Sequence, residues 1–387
     1  MNPFNFTQQE LYRDGHLLLA GLERMRNSGI AILGEGVHRF EQAFGQWLAA
    51  GGEAPEVIGV ASGTDALELA LRACGAGVGK RVLLPAHTAY ATLAAVLRVG
   101  AEPTFVDVDP ASPVLSACHL EELLRDDASK NAAMPRALIA VHLYGACCDL
   151  DAIEVVCDRY GIDLIEDCAQ ACGSHYRGRP VGTWGRFGAF SFYPTKNLAA
   201  FGDGGALVVN RREEASHVRR SRIYGWDEAR QAVQFGINSR LDELQAWVLL
   251  GKLSSLDDRI SERRRVARWY QERLQRLMDL PSDGENWLHS YHLFVIEVSD
   301  RQRDELVTAG NREGIPLAIH YPLACHQHPH VCQRFGTPPS LPNTECFVKR
   351  IVTLPLHPYL EENHVDSICQ WITSHPLAAD RIEEVRS

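Results

Sequence analysis

Short apolar runs that close in polar or glycine-rich turns, separated in many places by helix-like stretches, constrain the fold of this 387-residue chain more than any other feature. The runs cover 82–84, 104–108, 137–143, 163–165, 189–192 and 206–209, and the helix-like stretches include 66–73, 89–99, 120–124 and 150–160. Runs this short are too brief for helices, and their alternation with helical periodicity predicts an α/β fold with a largely parallel sheet covered on both faces. In such sheets ligands sit at the carboxyl ends of the strands. From Leu241 the pattern changes to a long helical region, with Leu244, Val248, Leu249, Leu253 and Leu256 at helical spacing and a basic segment over 263–268. The boundary is expected there, giving a large domain over 1–250 and a smaller α+β domain over 251–387. The latter holds a strand-like stretch at 292–298 and helices near 303–313 and 362–372.

The length exceeds what one core usually supports, in keeping with two domains of unequal size. A formal charge of −10 argues against a protein that works by neutralising phosphate backbones, so nucleic acid is not expected as a partner. Neither a leader pattern nor an apolar run of spanning length is present, and a cytoplasmic, membrane-free protein is expected. Eleven cysteines could suggest a disulfide scaffold, but the number is odd and the chain long; Cys74, Cys168 and Cys369 fall within apolar patterns where reduced thiols pack well.

Three segments carry chemistry. In Ala61-Ser62-Gly63-Thr64-Asp65, a glycine and two hydroxyl residues lead into an amphipathic helix, an arrangement that binds phosphate and equally describes an ordinary helix cap. The run Asp163-Leu164-Ile165-Glu166-Asp167 ends an apolar strand in two carboxylates, which suit a cofactor nitrogen, a metal or a helix cap. In Phe192-Tyr193-Pro194-Thr195-Lys196, followed by Gly202-Asp203-Gly204-Gly205, a lysine stands just past a strand and a proline turn, where a depressed pKa would make its amine a nucleophile. A lone loop lysine is ordinarily solvated; the three segments together change that reading.

These segments, with Gly34-Glu35-Gly36-Val37, Glu166-Asp167-Cys168-Ala169-Gln170, Gly236-Ile237-Asn238-Ser239-Arg240-Leu241, Tyr321-Pro322 and Leu354-Pro355-Leu356-His357-Pro358, occur in the order and spacing of the DegT/DnrJ/EryC1/StrS sugar aminotransferases, which the sequence resembles over nearly its whole length. The resemblance implies the aspartate-aminotransferase fold (fold type I), with a large domain built on a mixed, mostly parallel sheet that binds pyridoxal 5′-phosphate. It implies Lys196 as the Schiff-base lysine and proton carrier, Asp167 as the partner of the pyridine nitrogen and Gln170 near the ring hydroxyl. Gly63, Thr64 and Ser191 would hold the phosphate, and Tyr90 would stack on the ring. Asn238 would reach the phosphate of a neighbouring subunit, implying a homodimer with shared active sites.

By the same resemblance the substrates are L-glutamate and a nucleotide-linked keto-sugar, contacted by Tyr321 and His326. The segment from Leu323 to His328 departs from the family's usual pattern, which leaves the sugar least determined. The flanks of Lys196 and the segment 238–245 look more like members that aminate C3 than C4. A cyclitol ketone, a 4-keto-sugar and a non-catalytic regulatory role stand as alternatives, although Lys196, Asp167 and Gln170 weigh against the last. The cluster His320, Cys325, His326, His328, His330 and Cys332 lacks the paired spacing of structural zinc motifs, and no metal is expected.

Overall fold

The computed structural model describes residues 2–375 apart from 276, 277, 279 and 338; the end of the expected C-terminal domain, 376–387, lies outside the described residues. Three helices open the chain, α1 (Phe6–Asp14), α2 (His16–Ser28) and α3 (Glu35–Ala49). Strands and helices then alternate: β1 (Glu56–Val60), α4 (Gly63–Ala73), β2 (Arg81–Pro85), α5 (Tyr90–Arg98), β3 (Glu102–Val106), α6 (Ala117–Ser129), β4 (Ala137–Val141), α7 (Leu150–Tyr160) and β5 (Asp163–Asp167). Two short strands, β6 (His175–Tyr176) and β7 (Arg179–Pro180), precede β8 (Phe187–Ser191), β9 (Gly205–Val209), α8 (Ala215–Ser221), α9 (Glu243–Leu253) and α10 (Leu256–Leu274). The remainder comprises β10 (Trp287–Leu288), β11 (Phe294–Glu297), α11 (Arg303–Arg312), α12 (Pro329–Phe335), α13 (Pro342–Arg350), β12 (Ile351–Leu354) and α14 (Glu362–Ser374).

A seven-stranded sheet in the order β1-β9-β8-β5-β4-β2-β3 forms the centre. Only β9 runs against its neighbours, and the other pairings are parallel. Consecutive residues of each strand therefore enter opposite cores. Leu83, Leu138 and Ala140 join a core with Phe40 and Phe44 of α3, Leu120 of α6 and Ile153 of α7. Val82, Leu84, Ala137 and Ile139 join one with Leu67 and Leu71 of α4 and Leu93 of α5. Burial on both faces explains why these strands read as continuous apolar runs.

The packing does not change core at 250/251. Helix α9 packs against α2 and α3, and Leu253, Leu256 and Ile260 belong to the first core. Val266, Ala267, Tyr270 and Leu274 instead join a third core with Phe294, Val352, Val365 and Ile368. Because α10 is shared between them, we place the boundary within that helix. The chain start also reaches the C-terminal part: Phe4 packs on the third core, Phe6 stacks on His357 and Tyr359, and buried Glu10 pairs with Lys252 and Arg259.

Candidate active site

A cavity of about 260 Å³ opens where the parallel strands end. Reversal of β9 brings the segment before it, Asp203 and Gly204, to the same edge as the segments that follow β1, β2, β4, β5 and β8.

The first wall is the start of α4. Ser62 caps the helix by accepting a hydrogen bond from the N–H of Asp65 at 3.1 Å. The opening N–H groups of a helix have no acceptor within it and favour an anion. A Cβ on Gly63 would stand 2.9 Å from Cβ of Ser191, so only glycine lets α4 approach the end of β8 this closely. Gly63, Thr64 and Ser191 thus all line the cavity, with Gly63 against Ser191. Ser239 braces this corner: its Oγ accepts from Ala61 N–H at 3.0 Å and donates to Asp65 at 2.7 Å.

The last residues of β5 divide their work by strand alternation. Asp167 faces the cavity, its Oδ2 accepting from the Thr92 hydroxyl at 2.8 Å and its Oδ1 from Ala169 N–H at 3.1 Å. Glu166 points the other way, accepting from the N–H groups of Gly182, Trp184 and Gly185 at 2.7–2.8 Å and lying 3.0 Å from His142 Nε2. His142 Nδ1 accepts from Cys148 N–H at 3.1 Å, which leaves the imidazole proton on Nε2, facing Glu166. The Cys168 sulfur lies within 4.8 Å of the ligand atoms of these two. His142 and Glu166 are nevertheless already engaged by protein N–H groups, so the group reads as structural.

Lys196 lines the cavity from the turn after β8, where its N–H donates to Tyr193 O at 2.8 Å. Neighbouring Asn197 pins the turn by donating to Cys172 O and Ser290 O at 3.1 and 3.2 Å. Burial lowers the Lys196 pKa to about 8, against the opposing charge of Asp167. Burial likewise raises the carboxyl of Asp167, and its hydrogen bonds from Ala169 and Thr92 work in the other direction. The Lys196 amine has no hydrogen-bond or ion-pair partner among the described residues, and a large fraction is neutral near pH 8. That is the state a carbonyl-attacking amine needs.

Gln170 also lines the cavity. Tyr321 stands just behind it, 2.9 Å from Gln170 Nε2. Other expected residues lie elsewhere. Tyr90 is 38% exposed and sits edge-on to His328 and His330, while its neighbours Ala89 and Ala91 face the cavity. Tyr90 opens helix α5, and the rotation per residue of the helix turns its ring outward. His326, expected at the sugar, is buried with Nε2 3.4 Å from Glu345 and its ring against Phe105. Asn238 is exposed, its main chain bridged to Ile223, and it does not line the cavity. Thr92, which holds Asp167, belongs to no recognisable motif; its place four residues after Thr88 is the one hint the sequence offers, and in the structure the two hydroxyl oxygens lie 2.9 Å apart.

The donor set suits pyridoxal phosphate. A cluster of hydroxyls and helix N–H groups for an anion stands at one end, and an unpaired amine for an aldehyde lies beside a buried carboxylate for a ring nitrogen.

Comparisons with known proteins agree. The profile of the DegT/DnrJ/EryC1/StrS aminotransferase family matches residues 14–373. The dTDP-3-amino-3,4,6-trideoxy-alpha-D-glucose transaminase of Streptomyces venezuelae is 37% identical over 358 residues, 91% of each chain. A UDP-N-acetyl-3-dehydro-alpha-D-glucosamine 3-aminotransferase of Acidithiobacillus ferrooxidans is 40% identical over 313 residues, 80% of this chain and 82% of its own. The crystal structure of S. venezuelae DesV superposes with a TM-score of 0.84 at 37% identity, covering 94% of this chain and 96% of DesV.

Proposed function

The chain belongs to the DegT/DnrJ/EryC1/StrS aminotransferase family, and from this premise we propose that it moves an amino group from L-glutamate to C3 of a nucleotide-linked keto-sugar. It is a pyridoxal-phosphate-dependent aminotransferase of the fold the resemblance implied. The observation that carries the reading is the unpaired Lys196 amine in one cavity with Asp167 and the Gly63–Thr64–Ser191 corner. Relatives named for transamination at C3 support the regiochemistry.

When bound, the cofactor supplies an aldehyde for an amine and a ring that accepts the electron pair released at the donor's α-carbon. Gly63, Thr64 and Ser191 would hold its phosphate. Asp167 would pair with its ring nitrogen and, ionised by that cation, would keep the nitrogen protonated. Lys196 Nζ would hold the cofactor through its amine and, once freed, would carry the proton between the donor's α-carbon and the cofactor's C4′.

An assembly in which Asn238 serves a second copy's phosphate fits its position outside the chain's own cavity, with exposed Tyr224, Val233 and Phe235 nearby in the chain. We therefore read the active unit as a homodimer. Eleven free cysteines and the lack, among the described residues, of a helix long and apolar enough to cross a membrane support a cytoplasmic protein. Mass spectrometry after incubation with glutamate and a panel of nucleotide-linked 3-keto and 4-keto sugars tests the reaction. The 3-keto compounds should gain an amine; turnover confined to 4-keto sugars or cyclitols would refute the assignment.

A further inference from the structure

Behind the cavity, Tyr144 occupies the middle of a one-turn 3-10 helix, Leu143–Gly145, with a left-handed backbone (φ 63°, ψ −4°) that few non-glycine residues adopt. It is buried, and its polar atoms reach several chain segments. The N–H donates to Gln170 Oε1 at 2.8 Å and the carbonyl accepts from Leu293 N–H at 3.2 Å. The hydroxyl bonds to the carbonyl of His320 and lies 2.6 Å from His87 Nε2. None of these contacts belongs to the steps assigned to Lys196 and Asp167.

The direction of each bond follows from groups whose role is fixed. A main-chain N–H can only donate, so the Gln170 atom facing Tyr144 must be the oxygen, and its NH₂ must face Tyr321. Tyr321 oxygen therefore accepts at 2.9 Å, and its own hydrogen stays uncommitted among the described residues. Burial pushes the Tyr321 phenol up to about 12, so that hydrogen is retained at neutral pH. On the other branch the His320 carbonyl can only accept, so the Tyr144 hydroxyl donates to it and His87 Nε2–H donates to Tyr144. Burial lowers His87 to about 3, keeping it neutral, and its Nδ1 has no partner. The whole network is polarised, and its free end is the Tyr321 hydroxyl.

We propose that Tyr144 is a positioning residue: it clamps the His320–Tyr321 segment to the end of β4 and, through Gln170, fixes Tyr321 as a hydrogen-bond donor toward an oxygen of the bound sugar. The sugar part of this statement rests on the function proposed above; the clamp does not. A donor held in this way favours a ring substituent with an available lone pair, a carbonyl or hydroxyl oxygen, over one that only donates.

The test uses the holoenzyme and the variants Tyr144→Phe, Tyr321→Phe and both together. Hydrogen exchange by mass spectrometry reads the clamp without substrate: Tyr144→Phe should speed exchange in peptides spanning 318–324 about tenfold or more and leave β4 and β5 unchanged. Unchanged exchange at 318–324, or a rise everywhere, would overturn the clamp. Steady-state kinetics read the donor: Tyr144→Phe should raise KM for the keto-sugar roughly 3- to 10-fold, with kcat within about twofold of wild type. In the Tyr321→Phe background the same change should add less than about twofold, because both act on one bond. Full additivity would overturn the role assigned to Tyr144. Should Tyr144→Phe not fold, Gln170→Met removes the other bond that orients the Tyr321 hydroxyl, the one from Gln170 Nε2, and must show the same non-additivity with Tyr321→Phe. A wild-type enzyme that accepts no nucleotide-linked keto-sugar counts against the substrate assignment alone, and the exchange result still decides the clamp.

Discussion

Thr92→Val isolates one hydrogen bond to Asp167 with almost no change of shape. The Thr92 hydroxyl donates to Oδ2 at 2.8 Å, both groups are buried, and among the described residues the other donor to the carboxylate is the Ala169 N–H at 3.1 Å. A hydrogen bond to a charged group contributes about 1.5–3 kcal/mol, and one pKa unit corresponds to about 1.4 kcal/mol. Loss of the bond should therefore raise the Asp167 pKa further, in the direction burial already pushes it. A carboxylate less willing to ionise holds the ring proton less firmly, and kcat for the glutamate half-reaction should fall about tenfold. Single-turnover absorbance with glutamate measures this, with Thr92→Ser as control because it keeps the hydroxyl. Thr88, whose hydroxyl must donate to Thr92 because Thr92 donates to Asp167, should matter less when changed to Val. A Thr92→Val enzyme within twofold of wild type, or a Thr92→Ser enzyme as impaired as it, would refute the reasoning.

Lys196→Ala should bind pyridoxal phosphate without being fixed to it by borohydride; a pyridoxyl adduct recovered elsewhere in the active site by peptide mapping would contradict the assignment of Lys196. Cofactor capture by the apoprotein, followed by stopped-flow absorbance, should speed up with pH to a midpoint at about 8, since only the neutral amine reacts. Asp167→Asn should move that midpoint down, because the Asp167 charge raises the Lys196 pKa. Glu166→Gln should destabilise the fold by about 3 kcal/mol or more in urea titration, since an amide cannot accept from Gly182, Trp184, Gly185 and His142 at once. Sedimentation equilibrium should find a dimer; full activity in a monomer would remove the role proposed for Asn238.

The sheet was legible because strands buried on both faces leave unbroken apolar runs, and observed β2, β4, β5 and β9 fall on the expected segments within two residues. Strand β1 was not anticipated: Gly59 interrupts its run, and a Cβ there would meet Leu241 Cβ at 3.0 Å. The site residues that motifs fix to a strand end, Asp167 and Lys196, are on the cavity as expected. Tyr90 is not, because facing at a helix start depends on which residue begins the helix, and a shift of one residue turns a side chain by about 100°. His326 lies in the segment that departs from the family pattern, where resemblance has least to carry over.

Tyr144 shows why some of the site is invisible before folding. In Leu143-Tyr144-Gly145 the glycine is the natural carrier of a positive φ, and it has one, at 104°; the tyrosine has one too. Local propensity gives no reason for that second left-handed residue. Its reason is tertiary: the conformation lets one residue present its N–H to Gln170 and its hydroxyl to His320, which lie 26 and 176 positions away in the chain. A conformation disfavoured locally and retained by contacts to distant segments is the signature of a position set by the site rather than by the turn. The same logic separates Glu166 from Asp167. The sequence presents two adjacent carboxylates, and only the alternation of β5 assigns one to main-chain amides and the other to the cavity, where its charge acts on Lys196.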